Sequence, residues 1–81
     1  MNHTTKCTLR FQLECWGNGL SYELINRCTQ MSVFVQGDDA SRFEDEREET
    51  ERAFPDKDDD YIFMWLWDQC EYGALAQPLS R

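Results

Sequence analysis

The sequence predicts an α+β fold: a small, three- to four-stranded, mainly antiparallel sheet with one acidic helix packed on one face. Three observations predict it. Polar and apolar residues alternate strictly over residues 6–16, the period of a strand with one wet face. The tripeptide Gly17-Asn18-Gly19 follows, and residues that accept positive φ mark a hairpin turn. Residues 43–54 instead gather their larger side chains on one narrow helical stripe, with acids over the remaining surface. A chain of 81 residues makes one domain, near the lower limit for a self-sufficient core. Hydrophobics at 41% and aromatics at 14% are enough to build that core and unlike the composition of a disordered chain.

In the first strand, Cys7, Leu9, Phe11, Leu13 and Cys15 point one way and Lys6, Thr8, Arg10, Gln12 and Glu14 the other. After the turn, Leu20, Tyr22 and Leu24 alternate with Ser21 and Glu23, as a returning strand would. The same stretch offers Leu20, Leu24, Cys28 and Met31 at helical spacing; the turn chemistry favours the strand. Residues 31–35 read as another strand, ended by Gly37. Ser41 followed by Glu44 has capping-box spacing, and Asp38-Asp39 would lie beside the positive helix end. On a helical wheel Phe43, Arg47, Thr50 and Phe54 fall within about 60°, and Pro55 stops the helix. Residues 61–67 are apolar throughout and bounded by acids, which suits a central strand buried on both faces. As a strand, they would carry an aromatic row of Tyr61, Phe63, Trp65 and Trp67. A short apolar run does not by itself exclude a helix. Residues 69–81, with Gly73 and Pro78, read as irregular, with room for a short helical turn.

Charge is the most informative property of this chain. Residues 38–60 hold twelve acids against four bases, which accounts for the whole net charge of −8. Outside that window four acids balance four bases. Such a field repels nucleic acid and membrane phosphates and attracts a basic groove. No stretch approaches the ~18 apolar residues of a membrane span, and residues 1–6 contain no apolar run of the kind a secretory signal needs.

Catalytic and metal chemistry find little support. There is no Ser/His/Asp constellation, no HExxH and no phosphate-cradling glycine loop, and the single histidine is His3. Asp56, Asp58 and Asp60 match the first three ligand positions of an EF-hand loop, but Tyr61 stands where its glycine belongs and Trp67 where its bidentate glutamate belongs. A non-enzymatic protein without cofactor or metal is therefore expected. Cys7, Cys15, Cys28 and Cys70 form no CxxC pair. On one continuous strand, Cys7 and Cys15 would stand roughly 26 Å apart, beyond disulfide reach. The four cysteines read as buried structural thiols, in keeping with a reducing, cytoplasmic setting.

The acidic band is the candidate binding surface. Between Glu44 and Glu51 lie six carboxylates over seven helical steps, about 10 Å, a length over which B-DNA carries about six charges. Glu44, Asp45, Glu48, Glu49 and Glu51 are the expected main contacts, flanked by Asp38, Asp39, Asp58, Asp59 and Asp60. An ordinary solvated helix face is the simpler reading of such a run. Against it stand the concentration of charge and the like-charged i,i+4 pairs Glu44/Glu48 and Asp45/Glu49, each destabilising by a few tenths of a kcal/mol.

A short single domain with an Asp/Glu band and no catalytic apparatus resembles, as a class, the small acidic inhibitors of bacteriophages and mobile elements, including DNA-mimic anti-restriction and anti-CRISPR proteins. That resemblance implies a basic partner in the host bacterial cytoplasm, either a nuclease or a CRISPR effector ribonucleoprotein, with no direct contact to nucleic acid or membrane. The alternative is a protein-interaction or homodimerisation module that binds through an exposed aromatic strand at residues 61–67, where Trp and Tyr would dominate the interface. Its acidic helix would then only aid solubility and encounter.

Overall fold

The computed structural model describes residues 3–79. Four strands, β1 (His3–Cys7), β2 (Phe11–Trp16), β3 (Ser21–Asn26) and β4 (Met31–Gln36), form an antiparallel meander. They are followed by helices α1 (Asp38–Ala53) and α2 (Asp59–Asp68), a 3-10 turn (Tyr72–Leu75) and a two-residue strand β5 (Gln77–Pro78). The sheet order is β1-β2-β3-β4-β5, antiparallel throughout. The α+β class and antiparallel sheet are as expected. The sheet has five strands rather than three or four, and there are two helices rather than one.

Register decides which residues face the helices. Leu13 pairs with Leu24 and Leu24 with Val33, while Tyr22 pairs with Val35, so these side chains share one face. With Phe11 they meet Ala40 and Phe43 of α1, Ile62, Phe63 and Leu66 of α2, and Tyr72 in a single core. Edge-on and tilted ring contacts run through it: Phe11 to Phe63 at 6.4 Å, Tyr22 to Phe43 at 5.1 Å and Phe43 to Tyr72 at 5.3 Å. Among the described residues, both helices and the 3-10 turn pack on this one face of the sheet.

The single strand expected over residues 6–16 is two strands joined by a tight turn at Thr8, Leu9 and Arg10. No glycine or proline marks that turn. Its donors are gathered instead by Asp60, far along the chain: Thr8 Oγ1 (2.6 Å), the Arg10 amide (2.7 Å) and Arg10 Nε (2.6 Å) all donate to the Asp60 carboxylate. The turn also breaks the phase of the alternation. Cys7 pairs with Gln12 on the open face, while Phe11 faces the core. The hairpin at Gly17-Asn18-Gly19 forms as expected, with φ of 64°, 56° and 100°, and within residues 20–30 the strand reading holds over Ser21–Asn26, with a turn at 27–30 and no helix.

Residues 61–67 lie in α2, not in a central strand. Asp58 caps this helix by accepting the Tyr61 amide at 3.0 Å, and Asp59 and Asp60 occupy its first turn, where the helix dipole favours negative charge. Only Ile62, Phe63 and Leu66 of the apolar run are fully buried, the i, i+1, i+4 set of one helical face. Helix α1 begins three residues before the expected cap. Gly37 stands at its N-cap with φ 61° and ψ −130° and makes no side-chain cap bond, so Ser41 and Glu44 form no capping box. That backbone conformation belongs to glycine. Phe54 follows the helix, and Pro55 lies beyond it.

All four thiols are free, but none is fully buried: Cys7 and Cys28 are exposed, and Cys15 and Cys70 half-buried. The expectation of buried thiols fails because Cys7 lies on the open sheet face and Cys28 in the β3–β4 turn. Cys70 lies beside Glu46, and burial together with that carboxylate pushes its pKa up to about 11. Since the thiolate is the nucleophile, iodoacetamide at pH 8 is expected to alkylate Cys7 and Cys28 well before Cys70. Peptide mass spectrometry over a time course reads the order.

Candidate functional site: the outward face of the acidic helix

Helix α1 is docked by the stripe read from sequence. Phe43 and Thr50 are buried, Arg47 and Phe54 half-buried, and Ala40 extends the stripe toward the helix start. At 100° per residue, Asp38, Asp45, Glu48 and Glu49 point within about 60° of the direction opposite Phe43. These four, together with Asp39 and Glu51, are exposed. Among the described residues no ion pair involves any of the six. Arg42 and Arg52 are exposed on the same helix and dilute the field.

The remaining expected contacts serve the fold. Glu44 is half-buried; it accepts the Tyr22 hydroxyl and lies 3.4 Å from Arg47 Nη2. Glu46 turns inward likewise and accepts the Tyr72 hydroxyl. Burial and the neighbouring carboxylate push both phenol pKa values well above the usual range, Tyr22 through Glu44 and Tyr72 through Glu46, so both hydroxyls stay protonated donors at neutral pH. Asp58 is exposed but occupied as the cap of α2. Asp59 pairs with Lys6 at 2.7 Å. Asp60 is 8% exposed and faces the β1–β2 turn, so it offers no outward contact. Burial raises its pKa, but the bonds from Thr8 and Arg10 outweigh that, and its carboxyl is held below its ordinary value.

The outward charge is thus thinner than the sequence suggests. Of the six carboxylates between Glu44 and Glu51, Asp45, Glu48, Glu49 and Glu51 remain exposed. Four charges in about 9 Å fit the spacing of one phosphate strand, about 3.4 Å per charge, better than that of both strands.

The aromatic row expected along a strand at residues 61–67 does not form, because these residues are helical; Tyr61, Trp65 and Trp67 are half-buried. Phe63 is buried, Tyr61 and Trp65 close around Phe54 at 5.3 and 4.7 Å, and Trp67 packs on Phe11 at 5.8 Å. Among the described residues no group of three or more His, Cys, Asp or Glu side chains is placed to hold a metal ion, and no helix is long and apolar enough to cross a membrane. No protein-family model, curated protein or solved structure matches the chain.

Proposed function

We propose that this protein is a non-enzymatic inhibitor that sets the outward face of α1 into a basic nucleic-acid-binding groove, in place of a phosphate strand. The targets that fit are a host nuclease or an RNA-guided surveillance complex, as for the DNA-mimic anti-restriction and anti-CRISPR class. The observation that carries the reading is the set of six exposed carboxylates on one helix, none of them ion-paired within the described chain. Asp38, Asp45, Glu48 and Glu49 are the central contacts, with Glu51 and Asp39 exposed at the flanks of the helix. Rigidity supports the reading, because Phe43 and Thr50 anchor the helix beneath those groups. A pre-ordered charge array loses less freedom on binding than a flexible acidic tail.

Two properties of the captured target test this. The immobilised protein should retain a nucleic-acid-binding protein from bacterial extract at about 50 mM salt and release most of it by about 500 mM, because exposed charge pairs are screened. A duplex oligonucleotide should displace the same target at low salt, since the two ligands share one groove. Retention that is indifferent to salt and to duplex competitor would contradict the proposal.

A further inference from the structure

Strand β1 forms one edge of the sheet. Among the described residues only β2 pairs with it, and all five of its residues, His3–Cys7, are exposed. The ladder to β2 fixes which of its backbone groups stay unpaired. Cys7 pairs with Gln12, and the Thr8 amide donates to the Phe11 carbonyl at 2.8 Å, so Thr8 and Phe11 form a hydrogen-bonded pair. Such pairs alternate with non-bonded ones along an antiparallel ladder. Thr4 and Lys6 therefore bond β2, and His3, Thr5 and Cys7 turn their N–H and C=O groups outward. An open row of this kind is a template for a further strand. Nothing in β1 blocks it: the strand holds no proline and no acid, in a chain with 16 acids, and its register with β2 runs without a bulge. Its one lysine, Lys6, is already paired with Asp59 at 2.7 Å.

We infer that this edge is a self-association surface, and that its occupant is β1 of a second copy of this chain, antiparallel about a two-fold axis at Thr5. The register is self-complementary. Thr5 pairs with Thr5 of the second copy, and His3 with Cys7 of the second copy and the reverse, so every outward N–H and C=O of the strand finds a partner. The side chains agree with that register. Threonine meets threonine on the face opposite the helices, and Lys6 meets Thr4 of the second copy on the helix side, so no like charges stand opposed. Charge selects this edge over the other one. Helix α1 begins at Asp38, directly after β4, so pairing through β4 would bring two acidic helices to one seam, and like charges across an interface oppose association. Strand β5 also already covers Met31 and Ser32 there. At β1 the acidic helices stay apart, because β2 and β3 lie between that edge and β4. A head-to-tail contact of β1 with β4 would leave an edge open at each end and not close. Two short strands make a small interface, of the weak class under about 1,200 Å². The dimer is therefore reversible, with a Kd between about 1 µM and 1 mM. The inference stands apart from the proposed target, since it needs only two copies of this chain.

Sedimentation of the intact protein across that concentration range, joined to cross-linking at Thr5, tests it. The mean mass should rise from one chain toward two as concentration increases. Thr5→Cys, in a chain that also carries Cys7→Ser and Cys28→Ser, should form a disulfide-linked dimer on mild oxidation. A hydrogen-bonded pair places its Cα atoms about 5.5 Å apart, within disulfide reach. Cys7→Ser alone keeps the exposed Cys28 in the β3–β4 turn and should cross-link far less. Thr5→Pro should give a folded monomer, because the amide it removes faces outward and takes no bond from β2. If proline disturbs the strand, Thr5→Lys sets two like charges opposite each other across the axis and should weaken association several-fold. A wild type that stays monomeric throughout, cross-linking at Thr5→Cys no better than at Cys28, or unchanged association in a folded Thr5 variant would each overturn the inference.

Discussion

Replacing Asp60 with alanine is expected to destabilise the protein by about 3 kcal/mol, because its buried carboxylate accepts three hydrogen bonds, one of them from the partly exposed Arg10 side chain, and bonds to charged groups contribute about 1.5–3 kcal/mol each. For a domain of this size that corresponds to a fall in Tm of roughly 12–24 °C. Three donors lose their acceptor at once, and two of them, the Thr8 hydroxyl and the Arg10 amide, define the β1–β2 turn. Asp59→Ala is the matched control. Its pair with Lys6 is 2.7 Å long, but both side chains are well exposed, at 41% and 56%, so its loss should cost under about 1 kcal/mol. The pH dependence has a definite sign. Asp60 and Glu14 have folded pKa values below their ordinary 3.8 and 4.5. Their stabilisation is therefore complete above those ordinary values and is lost as pH falls through the lower folded ones. Wild type should lose stability below about pH 4.5, and the Asp60→Ala variant should lose it less steeply. Thermal melts from pH 2 to 7 read both effects. A variant melting within about 3 °C of wild type, under 1 kcal/mol by the same scaling, would remove Asp60 from its role as the tie between α2 and the first hairpin.

Charge reversal at the centre of α1 has the largest expected effect on binding. Glu48→Lys combined with Glu49→Lys changes the local charge by four units on side chains that are exposed and make no ion pair within the described chain. Placed against a basic groove, those lysines add repulsion as well as removing attraction, and like-charge contacts across an interface cost several kcal/mol. Affinity for the target should fall at least about 100-fold, or roughly 2.7 kcal/mol. The fold should survive. The substitutions relieve the i,i+4 repulsions Glu44/Glu48 and Asp45/Glu49, which changes stability by a few tenths of a kcal/mol in the favourable direction. Binding isotherms beside circular-dichroism melts separate the two outcomes. A folded double variant that binds like wild type would remove the helix face from the interface.

Local chemistry was legible in the sequence, and long-range chemistry was not. The Gly17-Asn18-Gly19 hairpin, the strand after it and the docking stripe of α1 follow from turn residues and periodicity within a few positions of each other. The first turn was hidden because its cause lies in Asp60, and the unbroken alternation on either side of it imitated one long strand. α2 was hidden because nearly every position from Tyr61 to Trp67 is large and apolar, so neither period stands out. The readable signal was at its start, where Asp58 at the cap precedes Asp59 and Asp60 in the first turn. The acidic band was visible as composition, but composition does not say which carboxylates turn inward. Glu44 and Glu46 flank the buried stripe and meet tyrosines from β3 and the 3-10 turn, which only the folded arrangement reveals. Glu14 and Glu23 read as ordinary members of alternating strands until register set them side by side.

A structure of the protein bound to its captured target, determined by electron cryo-microscopy, addresses the central claim directly. Lysine and arginine nitrogens from the target's nucleic-acid groove should lie within salt-bridge distance of Asp45, Glu48 and Glu49. If those carboxylates face open solvent while the target holds another surface, the helix does not act as a phosphate strand.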